Sequence, residues 1–400
     1  MHETPVAESV APVESQIGGR RLTITLYAAA AFLYWAGLYL YIPTLPTYVQ
    51  SKSSSLALVG IVLSMYGLWQ AVIRLPLGIA ADWLGRRKPF IIGGLVLVGL
   101  GAWIMGTAEG APGLAVGRAV TGLAAGTWVP LVVIFSALFP PEDAVRATAL
   151  LSLISSLGRV LATSITGSLN QLGGYSLAFY LAAGGAALAI LILLPTRETS
   201  RPTHQPSLAS VGHLITRRDV LLPSLLAALS QFANWAATFG FMPIFAKQLG
   251  GSDVTQSMLV SMHIGLVILG NLVATAIVRR IGARRLVYAS FILLSAGIGM
   301  AALATSLSLL FVAQGFIGLS MGISYPVLMG MSIRYVEDAE RTTAMGLHQA
   351  VYAVGMFVGP WVGGWLADAM GIRPMFGVIA VVTLTLGLFV SRWAGGVRGD

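Results

Sequence analysis

Twelve apolar runs of about twenty residues dominate this chain, at roughly 24–44, 57–80, 89–107, 113–136, 145–168, 175–194, 221–243, 257–278, 286–306, 309–332, 343–367 and 374–392. One such run, coiled as a helix, crosses the hydrocarbon core of a bilayer. Lipid offers no partner for backbone N–H and C=O groups, so only helices or a closed barrel can span it. No stretch alternates with period two, which excludes the barrel. Composition agrees: 56% of the 400 residues are hydrophobic and 10% charged, where a soluble chain carries about 25% charged residues. The absence of cysteine excludes a disulfide scaffold, thiolate metal sites and thiol catalysis. The net charge of +9 comes from basic residues that punctuate apolar runs and form no patch, so no nucleic-acid partner is expected.

The basic residues fix an orientation. One set of inter-span segments holds Arg20, Arg21, Arg86, Arg87, Lys88, Arg146, Arg197, Arg201, Arg217, Arg218, Arg279, Arg280, Arg284, Arg285, Arg334, Arg341, Arg392 and Arg398, which is 18; the other holds Lys52, Lys247 and Arg373, which is 3. Positive loops stay in the cytoplasm, so both termini are expected there. Residues 1–19 carry Glu3, Glu8 and Glu14 and read as a disordered cytoplasmic tail. They lack a convincing signal-peptide pattern, so the first span inserts uncleaved. Without other targeting signals, the cytoplasmic membrane of a prokaryote is the expected location.

The two halves repeat at an offset of 196 to 200 residues. FLYWA (32–36) matches FANWA (232–236), RAVTGLAAGTWVP (118–130) matches QGFIGLSMGISYP (314–326), and Pro43, Gly158, Gly174 and Phe179 match Pro243, Gly355, Gly371 and Phe376. The reading is two six-helix bundles, 20–195 and 221–393, joined by a cytoplasmic linker at 196–220 and followed by a tail at 394–400. Parallel repeats of this kind hold a solute between them near the midplane and rock around it.

Between spans 2 and 3 lies GIAADWLGRRK, residues 78–88. Gly78, Asp82, Gly85, Arg86 and Arg87 resemble the signature loop of the major facilitator superfamily; Ala80 and Trp83 depart from it. The resemblance implies an all-α membrane fold of twelve helices in two pseudo-symmetric bundles, and a gate in which Asp82 latches the halves on the cytoplasmic side. In physical terms, Gly78 is expected to let two helices approach closely, and Asp82 to pair with an arginine or a helix N-terminus. In the second half, Arg279 stands where Asp82 would align, so no matching latch is expected there. In span 11, Gly346, Gly355, Gly359, Pro360, Gly363 and Gly364 resemble the glycine–proline motif that drug/proton antiporters of this superfamily place in span 5. Here span 5 has Ala162 and Thr163 instead of Gly-Pro. Close packing and a softened bend account for Gly355, Gly359, Pro360, Gly363 and Gly364 without assigning a transport direction.

An arginine at a helix centre costs about 2.5–3.5 kcal/mol on insertion scales, so Arg74, Arg118 and Arg159 must face the bundle interior. His263 and His348 are the histidines inside spans. None of these five falls in spans 3, 6, 9 or 12, which read as lipid-facing walls. Span 5 carries a polar stripe at helical spacing, Ser152, Ser155, Ser156, Arg159, Thr163, Thr166 and Asn170. Other spans contribute Tyr34, Trp35 and Tyr41; Tyr66, Gln70 and Arg74; Arg118, Thr121 and Trp128; Gln231, Asn234 and Thr238; Asn271; Gln314 and Tyr325; Gln349 and Tyr352. Small hydroxyls also serve as helix–helix glue, so the stripe has a plain structural reading as well. The resemblance makes Arg118 the counterpart of the superfamily's span 4 arginine, which is linked to proton coupling in drug antiporters.

All fifteen acids are placed outside the deep membrane, with Asp82 at the gate and Asp368 near an outer helix end. Three buried cations without a buried anion call for an anionic partner, because unpaired charge in a low dielectric is costly. The expectation is a secondary transporter of a small, amphipathic, anionic organic solute, working by alternating access as a monomer. Proton coupling would run through His263, His348 or Asp82, and efflux is favoured over import or exchange. No nucleotide-binding loop is present, and no cofactor or metal is expected. A non-transporting sensor or scaffold is the alternative class, but it lacks an added soluble domain. An intramembrane enzyme lacks paired acids or a nucleophile–base pair.

Overall fold

The structure, a computed structural model, describes residues 13–198, 208–337 and 340–394. The tails 1–12 and 395–400, the linker residues 199–207 and the side chain of Asp82 lie outside the described residues. Among the described residues the chain is helical, with no strand. Among those residues, eleven helices are long and apolar enough to cross a membrane. One of them, Ala144–Leu193, has 50 residues. A straight helix of that length would reach about 75 Å, more than twice the hydrocarbon thickness. It breaks at Gly173 and at Gly174, where φ is 69°. The Thr166 hydroxyl bonds the Leu40 carbonyl while Phe179 stacks on Tyr41, so both arms flank the same end of the first helix. They are two crossings.

The membrane helices are therefore α1 Val13–Tyr39, α2 Leu56–Leu84, α3 Lys88–Thr107, α4 Ala111–Ala125 with its continuation Trp128–Ser136, α5 (144–172) and α6 (175–193), α7 Arg218–Ala236, α8 Asp253–Ile281, α9 Ala283–Leu303, α10 Leu307–Ile333, α11 Arg341–Met370 and α12 Ile372–Ala394. Helix α1 starts at Val13, inside the segment read from sequence as a tail. Hydropathy marks where lipid begins and not where helix begins. Between the bundles, Leu208–Thr216 forms a short helix.

The repeat survives in backbone geometry. Gly85 and Gly282 turn the α2–α3 and α8–α9 corners with φ of 62° and 87°; Gly174 and Gly371 turn α5–α6 and α11–α12 with 69° and 90°. Only glycine adopts that region without strain. The end of α1 passes through a 3-10 turn, Ile42–Thr44, into Leu45–Ser51. The end of α7 passes through a π turn, Ala237–Phe241, into Met242–Gln248. Outward faces carry large apolar side chains such as Leu172, 80% exposed, and Leu303, 76% exposed. In water such a surface is a liability; against lipid it is required.

The halves are sealed to each other at the end opposite the arginine-rich loops. There α5 and α8 run antiparallel, joined by a ladder: Ser261 Oγ to Thr163 Oγ1 at 2.9 Å, Gly167 N–H to Ser257 Oγ at 2.7 Å, and Asn170 Nδ2 to Asp253 Oδ2 at 2.8 Å. Thr47 Oγ1 donates to Gln256 Oε1 at 3.0 Å. Helices α2 and α11 cross at the same end. A Cβ on Gly60 would collide with the Pro360 carbonyl and with Gly364, and one on Gly67 with the backbone of Met356 and Phe357. Asp368 of α11 accepts the Leu56 N–H at 2.8 Å and the Ser55 hydroxyl at 3.3 Å, capping α2 from the other half.

The span 11 glycines divide their work. Gly355 and Gly359 meet the α7 backbone at Ala228 and Phe232, Gly363 meets Ala236 and Phe241, and Gly364 meets α2. Gly346 has only Leu75 nearby, at 3.7 Å. Gly78 corrects the sequence reading: a Cβ there would meet nothing within 4 Å. The tight α2–α11 contact lies at the sealed end, and at the signature loop no helix presses on Gly78.

Candidate functional site

A cavity of about 290 Å³ lies between the halves. Its lining comes from α1, α2, α4, α5, α7, α8, α10 and α11, together with the π turn that follows α7; α3, α6, α9 and α12 give none. The first half contributes Trp35, Tyr39, Tyr66, Gln70, Arg74, Trp128, Ser152, Ser155, Ser156 and Arg159. The second contributes Gln231, Asn234, Trp235, Phe239, His263, Ile264, Val267, Ile268, Asn271, Met321, Tyr325, Gln349, Tyr352 and Met356. On four helices the cavity residues lie on the arginine-rich side of the seal: 66–74 beside Gly60 on α2, 152–159 before Thr163 on α5, 263–271 after Ser261 on α8, and 349–356 before Pro360 on α11. The polar stripe of α5 is thus used twice. Its first turns line the cavity and its last turns close the opposite end.

Two guanidiniums reach this cavity from different helices. Arg159 sits 4.9 Å from the Trp35 ring centre and 5.7 Å from that of Tyr39, and its Nη2 donates to Ser156 Oγ at 3.0 Å. Arg74 sits 5.3 Å from the Tyr352 ring centre, and its Nη1 donates to Gln349 Oε1. No carboxylate lines the cavity among the described residues, and no ion pair there involves either arginine. Cation–π contacts recover roughly 0.5–2 kcal/mol each, less than or comparable to the cost of carrying the charge into the membrane. Buried polar atoms without a hydrogen-bond partner crowd the walls: Trp35 Nε1, Gln70 Oε1, Arg74 Nε, Arg159 Nε, Asn234 Oδ1 and His263 Nδ1. Aromatic pairs frame the space. Tyr66 stacks on Trp235 across the halves at 5.3 Å, and Phe239 meets His263 edge-on at 5.6 Å.

The cavity gathers most of the residues singled out by sequence: Arg74, Arg159, Trp35, Tyr66, Gln70, Gln231, Asn234, Tyr325, Gln349, Tyr352 and His263. It does not gather Arg118, Tyr34 or His348. Arg118 is fully buried 4.4 Å from the Tyr66 ring centre, and its Nε and Nη1 have no acceptor. Tyr34 donates to the Ala124 carbonyl at 2.7 Å, steadying the break in α4. His348 Nδ1 lies 3.0 Å from Ser224 Oγ, between α11 and α7. Sequence reading missed Tyr39, Trp235, Phe239, Met321 and Met356, because apolar and aromatic side chains in a span carry no mark of which face they occupy. It also missed Glu198. Its two carboxylate oxygens accept the N–H groups of Arg87 and Lys88, at 2.6 and 2.8 Å. That caps α3 and ties the signature loop to the end of α6. In that loop Gly85 makes the turn with its positive φ and Arg86 is exposed.

Comparison with known proteins agrees with this architecture. Over 92% of its length the chain is 25% identical to the inner membrane transport protein YajR of Escherichia coli K12, covering 83% of that protein. It is 27% identical to the multidrug resistance protein MdtH of Aeromonas salmonicida, over 92% of this chain and 95% of that one. A crystal structure of a bacterial homolog of the human lysosomal transporter Spinster, inward-facing and occupied, superposes with a TM-score of 0.80 at 15% identity, over 96% of this chain and 97% of that one. The sequence profile of the Major Facilitator Superfamily matches residues 27–230 and 224–398. With both halves matched and the twelve-helix fold in place, the chain belongs to the Major Facilitator Superfamily and is a multi-pass membrane transporter, not an enzyme.

Proposed function

We propose that this transporter exports small amphipathic organic anions by alternating access, coupled to protons, with the whole pathway inside one chain. The observation that carries the reading is the pair Arg74 and Arg159 in an aromatic-lined cavity with no carboxylate among its described residues. A buried cation left unpaired is expensive, and a cargo that brings a carboxylate, sulfonate or phosphate removes that expense on binding. The aromatic walls suit a ring system attached to the anion. The distribution of basic residues assigns the arginine-rich end and both termini to the cytoplasm. On that assignment the seal closes the outer side, and the cavity takes cargo from the cytoplasm. The names of relatives such as MdtH, a multidrug resistance protein, point the same way. His263 is the titratable imidazole at the cavity and serves as the coupling candidate there; His348 stands outside the lining, and the Asp82 side chain lies outside the described residues.

The test is flux of naphthalenesulfonate and of its neutral sulfonamide into inverted membrane vesicles, with and without a proton gradient. Wild type is expected to move the sulfonate preferentially and in proportion to the gradient, and Arg159→Gln is expected to lose that preference. Equal movement of both compounds by wild type would overturn the anion reading. Sulfonate flux that ignores the gradient would overturn the coupling.

A further inference from the structure

The two cavity arginines are held differently. The partners of Arg159 all belong to its own half: Ser156 on α5, and Trp35 and Tyr39 on α1. Arg74 of α2 is held from the other half, by the Gln349 side-chain amide oxygen Oε1 and the Tyr352 ring on α11. All of these residues line the cavity. Hydrogen bonds of Thr47, Ser55, Leu56, Thr163, Gly167 and Asn170 also join the halves, and these lie at the sealed end.

We infer that Gln349 is a resident stand-in for the cargo's anionic group, and that cargo binds by displacing it from Arg74. The inference rests on the anion reading and refines it. A side-chain amide oxygen is a neutral acceptor, and Arg74 keeps an Nε without a partner beside it. With a true anion the acceptor is ionised as well as the donor and two oxygens can bridge the guanidinium, and only an anion neutralises the charge. Gln349 therefore keeps Arg74 tolerable in the empty transporter while leaving it available. A carboxylate at position 349 would form a permanent ion pair and shut the site. Displacement also has a mechanical result. The Arg74–Gln349 bond links α2 to α11 on the cavity side of their crossing, so an anion that takes Arg74 releases a link between the halves. Cargo thereby acts on the equilibrium between states through a bond that it breaks as well as those it forms. Gln349 is in this sense a specificity-determining residue whose removal improves binding.

That sign sets the test apart from a general structural role. Binding of naphthalenesulfonate and its sulfonamide is measured by titration calorimetry on the purified full chain, for wild type, Gln349→Ala, Gln349→Glu, Arg74→Gln and the double variant Arg74→Gln/Gln349→Ala. Gln349→Ala leaves Arg74 unpaired only when the site is empty. It is expected to bind the sulfonate about tenfold more tightly than wild type, the change produced by about 1.4 kcal/mol, with the sulfonamide unchanged. Gln349→Glu is expected to bind the sulfonate at least about tenfold more weakly. With Arg74→Gln in place, the alanine substitution should have no further effect. A second measurement guards against a poorly folded variant: sulfonate should raise the melting temperature of Gln349→Ala more than that of wild type. Sulfonate binding by Gln349→Ala no tighter than wild type, or tightening that extends equally to the sulfonamide, would overturn the stand-in role. A wild type that binds both compounds equally would overturn the anion reading on which it rests.

Discussion

Gly364 meets Gly60 where α11 crosses α2: a Cβ on Gly364 would lie 2.8 Å from the Gly60 Cα and 2.7 Å from the Leu56 carbonyl. The contact is backbone against backbone, so no flexible side chain can yield. Gly364→Val should therefore oppose closure of the sealed end. Overpacking a tight contact costs about 1–3 kcal/mol, enough to shift the equilibrium between states by roughly fivefold to 150-fold. The chain has no cysteine to remove, so spin labels at Leu172→Cys and Leu303→Cys, one exposed site on each half, report the separation by pulsed EPR. The expected result is a longer distance dominating in Gly364→Val where the shorter one dominates in the parent. An unchanged distribution would mean that the crossing relaxes elsewhere.

Asp368 supports the same closure by electrostatics. It caps the first turn of α2 from the other half, at Leu56 N–H and Ser55 Oγ. The pair is exposed, so charge at the helix N-terminus is worth only about 0.3–1 kcal/mol here. Asp368→Asn keeps an acceptor and removes the charge, and should raise the open fraction by roughly twofold to fivefold. Asp368→Ala, which also removes the cap, should shift it further. The same label pair measures both. Equal effects from the two variants would show that the charge carries the whole contribution and a neutral acceptor at the helix end adds nothing.

Much of this was legible in the sequence, for definite reasons. Hydropathy fixes the spans because lipid tolerates no unpaired backbone. The reading of spans 3, 6, 9 and 12 as outer walls follows from where Arg74, Arg118, Arg159, His263 and His348 fall, because charge cannot face lipid. What sequence could not separate was Arg118 from Arg159. Both are arginines deep in spans, yet one lies over Tyr66 in the packed core and the other reaches the cavity. The difference is the rotation of each helix against neighbours far away in the chain. The seal was hidden for the same reason: Thr163 and Ser261, or Asn170 and Asp253, are unremarkable polar residues until α5 and α8 are laid side by side. Gly78 misled because a small residue permits close approach without requiring it.

The placement of Arg118 makes its own prediction. Its guanidinium is buried against Tyr66 and does not line the cavity, so it supports a cavity wall without touching cargo. Arg118→Gln should lower the melting temperature measured by intrinsic fluorescence, because the Tyr66 ring loses its cation–π partner. It should change sulfonate affinity far less than Arg159→Gln does, because its effect reaches cargo only through the Tyr66 ring. A loss of affinity comparable to that of Arg159→Gln, with stability intact, would return Arg118 to the binding site.

Arg159 allows charge and shape to be separated. Arg159→Lys preserves the positive charge but gives up the flat face that lies over Trp35 and Tyr39, and an ammonium is more strongly hydrated than a guanidinium. If stacking only parks the side chain, the lysine should bind naphthalenesulfonate as well as wild type. If the rings hold the guanidinium in a fixed plane for bidentate contact with the anion, the lysine should bind about threefold to tenfold more weakly, in line with cation–π contacts of roughly 0.5–1.5 kcal/mol. Arg159→Gln should fall below it, since both charge and fork are gone. We expect the graded order wild type, lysine, glutamine, read by calorimetry. Trp35→Leu in the wild-type background should reproduce the lysine deficit, because it removes the same contact from the other side. Adding Trp35→Leu to Arg159→Lys should then cost little more, and full additivity of the two would show that the ring and the guanidinium act separately.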